Sequence, residues 1–133
     1  MTKNILLDTN IIIRYFLKDH EEFSALACIT FNKIKQGIVK AYITNYIFAE
    51  IVFVLQNVYN IPKNEISEAL NDLLLIKGII MDNKALISEA LNIYSTKNLS
   101  IIDSMLVVEG KYLKYDIETF DKALAKVAKN NLL

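Results

Sequence analysis

At 133 residues and 53% hydrophobic side chains, without low-complexity tracts, the chain is long enough to bury a core as a single domain over 1–133 and too apolar to stay disordered. Fifteen Lys and Arg balance fifteen Asp and Glu, which excludes a generic polyanion binder; any nucleic-acid contact has to come from a local basic patch. A single cysteine, Cys28, excludes an intrachain disulfide, reads as a small apolar residue inside a helix, and suits a reducing cytoplasm.

Residues 4–7 form a short apolar run, read as a buried strand that ends at Asp8. A helix is expected from Thr9 or Asn10 to about Leu17. Phe23, Leu26, Ala27, Phe31 and Ile34 have helical spacing, and Gly37 suits the position just past that helix. The β-branched run 38–43 predicts a second strand, after which Thr44 or Asn45 caps a long helix with the stripe Ile47, Ile51, Val54, Leu55 and Val58. The apolar stretch 41–59 approaches the length of a membrane span, but Glu50 at its middle favours a buried helix. Pro62 suits the first turn of a further helix that runs towards Gly78, and 79–81 predicts a third strand. Asn83 and Ser100 each cap a helix, residues 115–120 predict a fourth strand, and Asp121 caps the last helix. Strands alternating with helices imply an α/β fold, a parallel sheet with helices on both faces.

Three carboxylates stand alone in apolar runs. Asp8 is the only charge between Lys3 and Arg14, Glu50 between Lys40 and Lys63, and Asp103 between Lys97 and Glu109. A buried carboxylate persists only with strong hydrogen bonds, a cation or a metal, and no Lys or Arg lies near in sequence. The spacing from Ile47 and to Val54 puts Glu50 on the expected buried face. Asp8 ends the first strand, Asp121 follows the last, and Glu50 and Asp103 lie in early helical turns. All four can meet at the carboxyl rim of the sheet, where their repulsion favours a divalent cation.

These motifs carry a resemblance. The segments ILLDTNIIIRYF (5–16), TNYIFAEIVFVL (44–55), LSIIDSMLV (99–107) and ETFDKAL (118–124) are similar to the four acidic motifs of PIN-domain nucleases, most of all the VapC toxins of VapBC toxin–antitoxin pairs. The resemblance implies a three-layer α/β/α domain with a central parallel sheet of four to five strands. It implies a metal-dependent endoribonuclease, with Asp8, Glu50, Asp103 and Asp121 holding Mg²⁺ or Mn²⁺ and a metal-activated water cleaving RNA. Hard oxygen ligands suit those ions, and motifs without Cys or His disfavour zinc. By motif position Asn10 and Thr119 support the site and Arg14 meets phosphate or a partner's tail. An antitoxin partner and a homodimer follow from the same resemblance, and the cytoplasmic location expected from the single cysteine is kept beside them. Ser104 stands where the family most often has Ala, and the final strand common in the family is shortened or missing after Asn131.

Plainer readings stand beside these. Asp8 and Asp121 can serve as helix caps, and Ser100 with Asp103 has the spacing of a capping box. His20, in a polar turn, is read as solvated, and the tyrosines as core or interface residues rather than a base-stacking platform. A phosphatase wants D-x-D where the chain has Asp8-Thr9-Asn10, and no Gly-rich phosphate loop occurs. The alternative within the family is a catalytically silent binding or scaffold module.

Overall fold

A computed structural model describes residues 2–131. The elements follow in the order β1 (Lys3–Leu6), α1 (Thr9–Leu17), α2 (Glu21–Lys35), β2 (Val39–Tyr42), α3 (Asn45–Asn57), α4 (Lys63–Leu74), β3 (Ile79–Ile80), α5 (Lys84–Thr96), α6 (Ile101–Leu113) and α7 (Lys122–Asn130). The sheet is parallel throughout, in the order β1-β2-β3, with Lys3 opposite Val39 and Ala41 opposite Ile79.

Local chemistry sets most helix boundaries. Thr44, Asn83, Ser100 and Asp121 each accept a hydrogen bond from the backbone N–H three residues on, so the predicted caps are the actual ones. Helix α2 ends in a Schellman turn: Gly37 takes a positive φ of 79°, its N–H reaches Ile34, and the N–H of Ile38 reaches Lys33.

The buried apolar side chains form one contiguous core, from Leu7 and Ile12 through Phe31, Phe48, Ile51 and Leu70 to Tyr94 and Val108. Of the sheet, Val39, Ala41, Ile43 and Ile79 face it. The alternate row of Asn4, Leu6, Lys40 and Ile80 is exposed, so the expected helix cover on both faces is not complete over this row. Among the described residues no helix is long and apolar enough to cross a membrane.

Among the described residues the sheet has three strands rather than four or five. Residues 115–120 are extended but join no ladder. The N–H of Tyr115 turns back to the Gly110 carbonyl at 2.9 Å, and Ile117 lies so close to Gly110 that a Cβ there would meet its Cδ1 at 3.1 Å. The segment is thus folded against the side-chain-free surface of α6, with Tyr115 and Phe120 left in solvent where a strand would bury them. The shortened final strand expected after Asn131 falls on 132–133, outside the described residues.

Candidate active site

Parallel pairing puts the ends of β1 and β2 at one rim, with the Leu7 N–H bonded to the Tyr42 carbonyl. Asp8 and Thr44 follow two residues beyond those ends and cap α1 and α3. Helix α3 packs against both α1 and α6, and α7 packs on α6. Three of the four predicted carboxylates therefore stand at helix N-termini: Asp8 on α1, Asp103 in the first turn of α6 and Asp121 on α7.

This placement corrects the expectation that the carboxylates are buried. Asp8, Glu50 and Asp121 are exposed and Asp103 is half-buried. Unpaired N–H groups and the positive end of the helix dipole favour an anion at each N-terminus, which is how Asp8, Asp103 and Asp121 persist in apolar sequence without a neighbouring cation. Glu50 is also turned the other way from its predicted face. The core side of α3 is Phe48, Ala49, Ile51, Val52 and Leu55, and Glu50 shares the open side with Tyr46, Phe53 and Asn57.

The four carboxylates differ in what they already hold. Asp8 Oδ1 accepts from the Thr9 N–H at 2.8 Å, and Asp121 Oδ1 from the Leu124 N–H at 3.0 Å. Asp103 gives its own N–H to Ser100 Oγ at 3.1 Å, but the return bond of a capping box is not formed. Among the described residues no hydrogen bond or ion pair engages the Glu50 or the Asp103 carboxylate.

The supporting residues fall into two groups. Thr119 Oγ1 accepts the Asp121 N–H at 3.0 Å and so fixes the approach to that cap. Ser104 is fully buried and donates to the Ser100 carbonyl at 2.8 Å, so the departure from Ala is accommodated inside α6. Asn10 is exposed and lines a groove with Ile11, Arg14, Phe23 and Leu26, beside Asp8. Arg14 is not free. Its guanidinium pairs with Asp19 and donates to Tyr59 Oη at 3.3 Å, and the Asp19 bond raises its pKa and lowers that of Asp19. His20 is an exposed cap, its Nδ1 accepting from the Phe23 N–H, as its polar surroundings suggest.

One cleft, of about 600 Å³, brings Glu50 together with the start of α6. Its walls include Tyr46, Phe53, Lys63, Asn98, Ser100 and Ile102, the residue that precedes Asp103 in α6. Lys63 has no signal in the sequence, because only the tertiary fold sets it in the same cleft as Glu50. Its ammonium donates to the Leu99 carbonyl at 2.7 Å and lies 4.5 Å from the centre of the Tyr94 ring, while burial lowers its pKa. The other missed signal is Thr9, whose Oγ1 is buried without a partner next to Asp8.

Among the described residues no three Asp, Glu, His or Cys side chains stand close enough to hold one ion as they lie. The chemistry of the donors nevertheless fits a hard divalent cation. Glu50 and Asp103 offer uncommitted carboxylate oxygens, and Asp8 and Asp121 each spend only one oxygen.

A family model described as PIN domain matches residues 5–130 of this chain. No curated protein sequence matches it significantly.

Proposed function

From the premise that the chain belongs to the PIN domain family, whose members are generally nucleases, we propose that it is a metal-dependent endoribonuclease and the toxin of a VapBC-type toxin–antitoxin pair. One observation carries the reading: Glu50 shares a cleft with the start of α6, and among the described residues neither the Glu50 nor the Asp103 carboxylate has a protein partner. Carboxylates kept out of ion pairs and hydrogen bonds are what a cation site needs before it is filled.

Asp8, Glu50, Asp103 and Asp121 are the residues that would hold Mg²⁺ or Mn²⁺. When bound, such an ion supplies charge neutralisation at the phosphate and activation of water for attack on the phosphodiester. The chain's own residues prepare that site. Asp8, Ser100 and Asp121 each take one N–H at the start of α1, α6 and α7, and the remaining first-turn N–H groups of those helices would be offered to substrate phosphate oxygens. Thr119 holds the backbone that aims Asp121, and Asn10 supports Asp8 from the first turn of α1. Arg14 contacts substrate phosphate or a partner's acidic tail by exchanging Asp19 for it, since both are at the surface.

The partner protein is proposed to lie in the groove of Asn10, Ile11, Arg14, Phe23 and Leu26, from which it can cover Asp8. A homodimer belongs to the same reading and would bury exposed apolar residues such as Leu113, Tyr115 and Phe120. The whole chain is taken as one catalytic domain acting in the cytoplasm.

The test uses end-labelled structured RNA with Mn²⁺, Mg²⁺ or EDTA, for the parent protein beside Asp8→Asn and Asp103→Asn. The expected result is discrete cleavage that needs the metal and is lost in both variants. Full activity in both variants would overturn the site. No cleavage and no Mn²⁺ binding by calorimetry would favour the silent module.

A further inference from the structure

Two aromatic side chains flank Glu50 and are not explained by the core. Tyr46 is 75% exposed and Phe53 60% exposed. Positions 46, 50, 53 and 57 fall on one stripe of α3. The two rings therefore stand on either side of the Glu50 carboxylate, about 10 Å apart along the helix axis. Both line the cleft that Glu50 shares with the start of α6.

The remaining walls set the apolar side chains of Leu99, Ile101 and Ile102 beside a particular group of polar ones. Asn57 uses its amide nitrogen on the Phe53 carbonyl at 3.1 Å, which leaves its oxygen free to accept. Gln56 uses its oxygen on the Tyr94 hydroxyl at 2.6 Å, which leaves its amide nitrogen free to donate. Asn98 adds both kinds of group, and Lys63 a cation fixed at the cleft wall with no carboxylate partner among the described residues. Flat aromatic faces, side-chain amides and a cation are the equipment for stacking a base and reading its edge. A volume of about 600 Å³ is in the range that takes a small ligand. An interface between protein copies would suit the aromatics but not Glu50 and Lys63, since the centres of such interfaces are depleted in glutamate and lysine.

We infer that this cleft is a nucleobase subsite: it takes an unpaired base of the RNA strand next to the scissile phosphate, stacked on Phe53 or Tyr46. The inference rests on the nuclease reading for the word "scissile" but not for the binding itself. It gives the protein a preference for single-stranded over fully paired RNA, because a base in a duplex has no free face to offer. It also makes Tyr46 and Phe53 the residues that set which nucleotide is accepted at the cut.

The experiment measures binding of a fluorescently labelled single-stranded oligoribonucleotide and of its duplex. The full chain is used as Asp103→Asn in EDTA, so that nothing is cut. Tyr46→Ala and Phe53→Ala are added in that background and are expected to weaken single-strand binding roughly 5- to 150-fold. Tyr46→Phe and Phe53→Tyr should restore it, and duplex binding should not change. Sedimentation of each protein is measured alongside. Unchanged single-strand binding in both alanine variants overturns the inference, as does a parent that binds no single strand. A dimer that the alanine variants convert to monomer, with binding lost in proportion, overturns it in favour of a seam between two copies. Cleavage of RNA by the unmodified protein is scored separately. Metal-dependent cleavage with unchanged binding in the variants leaves the nuclease and removes the subsite; weakened binding without any cleavage does the reverse.

Discussion

The two sides of α3 are built from similar residues and have opposite fates. On one side Phe48, Ile51, Val52 and Leu55 are sealed in the core; on the other Tyr46 and Phe53 stand in solvent with Glu50 between them. Hydrophobicity alone does not distinguish the sides. What does is the neighbouring structure: α1, α4 and α6 pack on the helix and leave the cleft side open. An aromatic that the fold leaves in water contributes little to stability, so the open side of α3 is better understood as surface for a ligand than as unused core.

Substitutions on the two sides should therefore separate activity from stability. Glu50→Gln is expected to reduce RNA cleavage by at least about a hundredfold, with unfolding free energy within about 0.5 kcal/mol of the parent, because the residue is exposed and makes no bond to lose. Rates at saturating metal, set beside urea denaturation, read both. Phe48→Ala should do the opposite. It is expected to lose about 3–5 kcal/mol in the same denaturation experiment while the folded fraction still cuts. Equal losses of stability in the two variants would erase the distinction between the sides.

A smaller effect links α3 to α5. The Tyr94 hydroxyl, on fully buried Tyr94, donates to Gln56, and burial pushes its pKa up to about 12 from 10.0. The folded state therefore keeps the proton after the unfolded chain has released it. The resulting stability is complete below pH 10 and declines as pH rises from 10 to about 12, by about 2–3 kcal/mol in all. Denaturation midpoints across that range check it: Tyr94→Phe should flatten this part of the decline, and an unchanged slope would refute it.

Much of the architecture was legible because its signals are local. A cap is a side chain three residues from its donor, so Thr44, Asn83, Ser100 and Asp121 could be read directly, and Gly37 marked its own turn. The phase of α3 could not be read the same way. Its apolar residues run nearly all round the helix, and the packing of α1, α4 and α6 decides that Glu50 and Val58 face out. The same holds for Phe23 and Leu26, counted on the core stripe of α2 but half exposed. Residues 115–120 have strand-like composition, yet the bare surface of Gly110 in α6 draws them away from the sheet. Of the candidate site, the acidic positions were found from their isolation in sequence. Lys63 and the aromatic pair depend on contacts between distant segments, and no short-range pattern announces them.

The all-parallel sheet has a consequence in time. Lys3 meets Val39 and Ala41 meets Ile79, so every rung closes a loop of nearly forty residues with two helices inside it. Closing such loops is entropically costly before any rung rewards it, whereas each helix forms from neighbours in sequence. Refolding should thus show helical ellipticity returning before the ability to cut RNA, since the rim that joins Asp8 to the start of α3 exists only once β1 and β2 are paired. Stopped-flow circular dichroism, timed against regained cleavage, would show the two together if the sheet were an early event. A chain still leaving the ribosome could then carry its early helices without the paired rim on which the proposed site depends.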